Sequence, residues 1–192
     1  MSKSISKNAI SKAILNLSNI ILPIIVMPVV LSAIKDTLNG YITMGETWTA
    51  VFMIFASFGI YQYGLREVSR VRDDEKKLIQ TITSLFVITT VTTTIISVLY
   101  VLFLIIFRRN YGYFYTCMVM GLNIVFNMFN VEWINEALEN YDFIAIKTMI
   151  VKIIYNILTI CFVKTQGDFL FYIYLTCTIN FINNISSFIY IK

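Results

Sequence analysis

The stretch YGLREVSRVRDDEKK, residues 63–77, carries nine charges in fifteen residues. Residues 47–65 before it and 78–107 after it carry none. Charge is excluded from hydrocarbon and collects in the connections between membrane spans. A dense charged block between two long uncharged runs is therefore the pattern of a polytopic membrane protein.

Composition agrees. Hydrophobic residues make up 58% of the chain and charged residues 14%, where a soluble domain has about a quarter of its residues charged. The net charge of +4 is no nucleic-acid signal, because the basic residues are dispersed among the connections. Lys3, Lys7 and Lys12 precede an uncharged run from Ala13 to Ile34 that is too long for a signal-peptide core. It reads as a first span.

About 20 apolar residues cross the hydrocarbon layer. Six segments meet or approach that length, near residues 13–34, 44–64, 79–107, 112–131, 144–163 and 169–191. The expected fold is all-α, six transmembrane helices in one membrane domain over 1–192. The fifth segment is the weakest by hydropathy, since it contains Lys147 and Lys152, whose long stems can snorkel to the interface. Six spans place both termini on one side. Lys35, Arg108, Arg109 and Lys164 then face away from the termini, and the other eleven of the 15 basic residues lie with them. The positive-inside rule puts both termini, and the block, in the cytoplasm. Within the block, Glu67–Arg70, Arg70–Asp73, Arg70–Asp74 and Asp73–Lys77 have helical i,i+3 or i,i+4 spacing, beside an apolar stripe of Leu65, Val68 and Val71. This predicts a short amphipathic helix over 65–78 at the membrane surface, with a solvated loop as the alternative.

Polar residues within spans are costly unless they face protein or a water-filled cavity. The first span holds Asn16 and Asn19, then the chain's only prolines, Pro23 and Pro28. Two prolines five residues apart suggest a bent or hinged helix; static packing is the alternative. Asn123, Asn127 and Asn130 share one helical face of the fourth span, and Thr176, Asn180 and Asn183 or Asn184 a face of the sixth. These faces line a cavity or bond helix to helix. Glu46, beside Trp48, is either a coupling carboxylate or an interfacial one. The third span's threonines read as tolerated polarity, with each hydroxyl bonding its own helix. The chain has no His, and no GxSxG, P-loop or metal-ligand cluster is visible, so no catalytic residue, metal or cofactor is expected. Cys117, Cys161 and Cys177 lie in apolar runs without CxxC spacing and read as inert thiols.

FASFGIYQYGLREVSRVRDDEKK (55–77) resembles the second-helix end and following loop of bacterial polysaccharide flippases. The matching residues are Phe58-Gly59-Ile60, Tyr63-Gly64, Arg66-Glu67-Val68 and Arg70-Val71-Arg72-Asp73. EWINEALENYDFIAIKTMIVKIIYNILTICFVKTQGDFLFY (132–172) is similar to a second family region through Trp133, Ala137, Glu139, Tyr141, Phe143, Lys147, Phe162-Val163-Lys164 and Asp168-Phe169. ILPIIVMPVV (21–30) and LNGY (38–41) resemble the first helix and its outer loop. AIKDTLNGY (33–41) and Ala137, where a glycine is common, depart from the pattern.

The resemblance implies the multidrug/oligosaccharidyl-lipid/polysaccharide exporter superfamily, whose members have two six-helix lobes around a central cavity. It matches the amino-terminal lobe. The expected function is a lipid-linked oligosaccharide flippase, or its truncated amino-terminal half, for capsule, O-antigen or exopolysaccharide export across the bacterial cytoplasmic membrane. The implied partners are the glycan lipid, membrane lipid, and a second six-helix lobe or another copy. Arg66, Arg70 and Arg72 would set topology or meet a diphosphate or anionic head group. The alternatives are a non-transporting scaffold subunit, a drug or cation exporter of the same superfamily, and, least supported, a membrane glycan polymerase or acyltransferase.

Overall fold

The computed structural model describes the backbone of residues 5–107 and 111–191, and side chains from residue 13 onward except 14, 15 and 18. Lys3, Arg108, Arg109 and Lys192, and the side chains of Lys7 and Lys12, which the topology argument used, lie outside the described residues. The described chain is helical with short connections. Its helices are α1 (Ile5–Ala33), α2 (Asp36–Ser57), α3 (Ile60–Val71), α4 (Glu75–Ile106), α5 (Tyr111–Phe126), α6 (Glu132–Ala137), α7 (Tyr141–Phe162) and α8 (Phe169–Tyr190). Short 3-10 turns at Asn127–Phe129 and Gln166–Asp168 lead toward α6 and into α8.

Four helical units are long and apolar enough to cross a membrane: Asp36–Val71, Glu75–Ile106, Tyr111–Ala137 and Tyr141–Phe162. The last is the segment that hydropathy left weakest. Helix α1 contributes a shorter apolar stretch, Asn19–Ala33, and runs unbroken through Pro23 and Pro28. Helix α8 has the length, at 22 residues, but its asparagines dilute its hydropathy.

The second segment departs from its expected limits. It begins at Asp36 and stops at Ser57, because Phe58 (φ 44°) and Gly59 (φ 70°) both turn left-handed. Gly59 adopts this conformation without strain, whereas Phe58, 74% exposed, is held in it. The interruption also strips the end of α2 of helical partners. Thr92 of α4 supplies one, donating its hydroxyl to the buried Ala56 carbonyl at 3.0 Å. Other α4 threonines bond back to their own helix, as at Thr89 to Leu85 and Thr94 to Thr90.

The charged block is shared between two helices, correcting the single connection over 65–78. Helix α3 starts at Ile60 and ends at Val71, and Glu75 already belongs to the first turn of α4. Asp74 separates them because its extended backbone and carboxylate cap α4, accepting from the Lys77 amide at 3.2 Å. Helix α3 is amphipathic: Ile60, Gly64 and Val68 are buried, and Arg66 and Arg70 point outward. Of the four spaced pairs, Glu67–Arg70 forms, at 3.8 Å. Asp74 pairs with Lys77 at 2.9 Å instead of Arg70, and Arg72 reaches Glu139 at 2.6 Å. Glu139 itself has φ 59°, in the turn between α6 and α7.

Three apolar clusters hold the lobe. One joins α1, α2, α5 and α8 through residues such as Val26, Val30, Ile42, Val119 and Ile173. A second packs α3 and α4 around Trp133 and Ile134 of α6. The third packs α2, α4 and α5 around Tyr100, Leu104 and Ile124. Close approach depends on glycine at two points. A Cβ at Gly64 would lie 2.5 Å from the Trp133 ring, and one at Gly121 would meet the Tyr100 ring. Many large apolar side chains, Ile20, Ile54, Ile106 and Ile157 among them, remain exposed, as lipid-facing residues are.

Two capping carboxylates outside the spans make a pH prediction. The Lys77 side chain and amide hold Asp74 below the ordinary aspartate range. Asp168 is held low by the Lys164 and Thr165 amides and the Thr165 hydroxyl, at 3.1, 2.8 and 2.9 Å. A depressed folded value means that the stabilisation is complete above the unfolded value and disappears as pH falls through the folded one. In detergent, the Lys77 and Thr165 amide resonances are expected to stay fixed down to about pH 4 and to move only below it. Movement centred above that pH would show that the caps are not formed.

Candidate functional site

Helices α2, α5 and α8 border an open cleft of about 270 Å³ to which many polar residues contribute. From α2 it takes Glu46, Thr49, Ala50 and Met53; from α5, Met120 and Asn123. Asn127 and Asn130 follow at the end of α5, and α8 contributes Thr176, Asn180 and Asn184. Glu46, Ala50 and Asn180 are exposed along its open side, whereas Thr49 and Asn127 are buried in its wall.

The helices meet here because both α5 and α8 carry amides facing one another. Asn180 Nδ2 donates to Asn123 Oδ1 at 3.1 Å, and Asn184 Nδ2 donates to the Phe126 carbonyl at 3.1 Å. Asn123 Nδ2 in turn donates to the Met120 carbonyl at 3.0 Å. The amides therefore do both things their spacing allowed: they bond helix to helix and they line a cavity. Each carries two donors and an oxygen with two lone pairs, more capacity than these bonds use. The wall can bind hydroxyl-rich groups without a fixed charge, except at Glu46.

Local geometry differs from the expected single helical face. Regular α-helix ends at Phe126, so Asn127 lies in the 3-10 turn and Asn130 just after it. Asn130 Nδ2 donates to Asn127 Oδ1 at 3.3 Å, which keeps both on the cleft. On α8 the choice between Asn183 and Asn184 is resolved. Asn184 lines the cleft, and Asn183 lends its carbonyl to Lys147 on α7.

The first-span candidates stand apart. Asn16, Asn19, Pro23 and Pro28 are exposed on α1, and none lines this cleft. Helix α1 packs chiefly on α7, and Asn19 accepts a hydrogen bond from Lys152. Arg66, Arg70 and Arg72 lie on or just beyond α3, outside the cleft. Arg66 also sits 5.5 Å from the Tyr63 ring centroid.

A second polar cluster was not foreseen. Lys147 does not snorkel: its side chain is 6% exposed and donates to Glu132 at 2.6 Å, Ser187 Oγ at 2.6 Å and the Asn183 carbonyl at 3.1 Å. Buried Asn135 adds a bond to the Ser187 carbonyl at 3.3 Å. Glu132 and Lys147 sit on different helices, so no helical spacing links them. The available signal was a lysine inside an apolar segment, with four acidic residues, Glu132, Glu136, Glu139 and Asp142, in the stretch before it and nothing to choose among them.

A family model described as "Polysaccharide biosynthesis protein" matches residues 5–192. The chain belongs to that family. No curated protein and no solved structure matches it significantly. The family match runs through both segments whose residues resemble the flippases. As a polysaccharide biosynthesis protein with several helices able to span a membrane, the chain is a membrane component of polysaccharide biosynthesis or export. In this family member the amide-lined cleft and the Lys147–Glu132 cluster are separate: α8 turns Asn180 and Asn184 to one and the Asn183 carbonyl and Ser187 to the other.

Proposed function

We propose that this polysaccharide biosynthesis protein forms one lobe of a flippase that passes a lipid-linked oligosaccharide across the bacterial cytoplasmic membrane, with both termini cytoplasmic. The observation that carries this reading is the cleft between α2, α5 and α8. Its amides and hydroxyls suit sugar hydroxyls, and it is only about 270 Å³ in volume. Ligand pockets run from roughly 300 to 1,000 Å³ and bury most of their ligand. A single open wall of this size therefore calls for a second wall, from another lobe or another copy. The glycan would be carried past the amides while the lipid tail stays in the bilayer. Capsule, O-antigen or exopolysaccharide repeat units all fit this chemistry. Arg66 and Arg70, exposed on α3, would hold the chain's cytoplasmic side against anionic head groups.

The test replaces Asn123, Asn127 or Asn180 with leucine in cells that depend on the complete export system. Each change removes a hydrogen-bonding position worth about 1 kcal/mol, so surface glycan is expected to fall by roughly fivefold per variant. The lipid-linked precursor should accumulate in step. Unchanged glycan output at normal protein level in all of them would take the cleft out of the path. Retained output together with altered drug resistance would point to a drug exporter.

A further inference from the structure

The apolar core of the lobe is divided at one level. Along α2 and α3, two of the clusters take no residue beyond Ala56, and the remaining one begins at Ile60. Along α4 the same boundary falls between Phe86 and Ile96, and along α5 and α6 between Phe126 and Val131. Among the described residues, no cluster draws on both sides of this boundary.

Each gap coincides with a weak point in its helix. Phe58 and Gly59 turn left-handed between α2 and α3. Asn127–Phe129 is a 3-10 turn after α5, and such a stretch within a longer helical run often marks a hinge. In α4, Thr89, Thr90, Thr92 and Thr94 each bond back to the carbonyl four residues earlier, which weakens and bends helices. Helix α8 runs unbroken past this level. It bonds α5 through Asn180 and Asn184 on one side, and Asn135 of α6 through the Ser187 carbonyl on the other. The Trp133 ring lies against Gly64, and Arg72 reaches Glu139 at 2.6 Å, so α3 and α6 form one piece.

We infer that the lobe is two bodies joined by a hinge at this level, with Phe58 as its switch. The piece carrying α3 and α6 swings against α2 and α5, with α8 as the pin. Phe58 is left-handed in one arrangement and leaves that region in the other. A non-glycine residue held there stores strain, and such residues gather at switches. The Thr92 hydroxyl serves as the catch. It lies 3.0 Å from the Ala56 carbonyl, and 3.0 and 3.1 Å from the Ile88 and Thr89 carbonyls of its own helix. With one proton to donate, it can hold the end of α2 or release it without losing a partner. The cleft lining stops at the same level. Asn127 and Asn130 belong to the link between α5 and α6, and among the described residues none of α3 or α6 lines the cleft. The swing therefore reshapes the cleft at those two amides. This inference concerns the bending of the lobe itself and is independent of the transport reading.

Paired nitroxide labels test it, read by double electron–electron resonance on the full chain in lipid nanodiscs. The exposed Cys161 is first replaced by serine, and that parent supplies the blank for buried Cys117 and Cys177. Ile54→Cys with Arg70→Cys crosses the hinge, and Ile54→Cys with Val98→Cys stays within one body; all three positions are exposed. Two resolved distance populations are expected for the crossing pair and one for the control. Phe58→Gly, at an exposed position, removes the penalty on the left-handed turn. It should shift the ratio about tenfold toward the population that matches the present structure. Thr92→Val removes the catch on the Ala56 carbonyl and should shift the ratio the other way. A single narrow population for the crossing pair, or a ratio that neither substitution moves, would overturn the proposal.

Discussion

Lys147→Met is expected to destabilise the lobe by about 3 kcal/mol. The change removes the ammonium but leaves Glu132, whose side chain is 25% exposed, with its charge uncompensated. It also removes the donor to Ser187, which is fully buried, and to the Asn183 carbonyl. Breaking one side of a buried pair costs roughly 3–5 kcal/mol, and the partial exposure of Glu132 puts this case at the lower end. For a chain of this size the expected fall in melting temperature is about 10 °C. The second half of the prediction is the double variant. Lys147→Met with Glu132→Leu removes both charges, and apolar replacements of buried pairs are often neutral. It should recover most of the loss. Detergent-solubilised protein followed by thermal unfolding decides the matter. No drop in the single variant, or no recovery in the double, would mean that the pair does not hold α6 and α8 to α7.

Gly121→Ala is expected to cost about 2–3 kcal/mol, at the upper end of the range for overpacking. The new methyl would fall on the Tyr100 ring. That ring has little freedom to withdraw. It is 2% exposed, its hydroxyl donates to the Cys117 carbonyl at 2.8 Å, and Phe52 meets it edge-on at 5.1 Å. Helix α5 would have to move away from α4 and take the cleft residue Asn123 with it. Tyr100→Leu in the same chain shortens the obstacle and should restore part of the stability, while Tyr100→Leu alone loses packing. A double-mutant cycle on melting temperature measures this coupling. If the two losses simply add, the contact between Gly121 and Tyr100 is not the reason for the glycine.

What could be read in advance follows from how local the signal is. The charged block 63–77 marked the connection between two uncharged runs because exclusion of charge from lipid acts on every residue in the window. The break at Phe58–Gly59 was hidden, because Gly59 alone is a weak sign and phenylalanine has no preference for a left-handed turn. In the cleft, Glu46, Asn123, Asn127, Asn130 and Asn180 were visible as polar residues in apolar runs, most of them at helical spacing. Periodicity shows which residues share a face but not what that face meets. Hence Asn183 and Asn184 were equivalent on paper, and α1's Asn16 and Asn19 looked like members of the same set. The Lys147–Glu132 pair and the Gly64–Trp133 contact join residues brought together by turns and crossings, which one-dimensional spacing does not encode.

The composition of the cleft has an electrical consequence. Among the described residues that line it, Glu46 is the sole ionisable one. Amides and hydroxyls carry no net charge, so in the proposed transport, moving this wall from one side of the membrane to the other would take almost no work against the membrane potential from these groups. Within that wall only Glu46 can carry a charge that feels the field, and a full elementary charge crossing all of it is worth about 2.3 kcal/mol per 100 mV. The cleft wall's own response to voltage would therefore rest on one side chain, and Glu46→Gln would remove it.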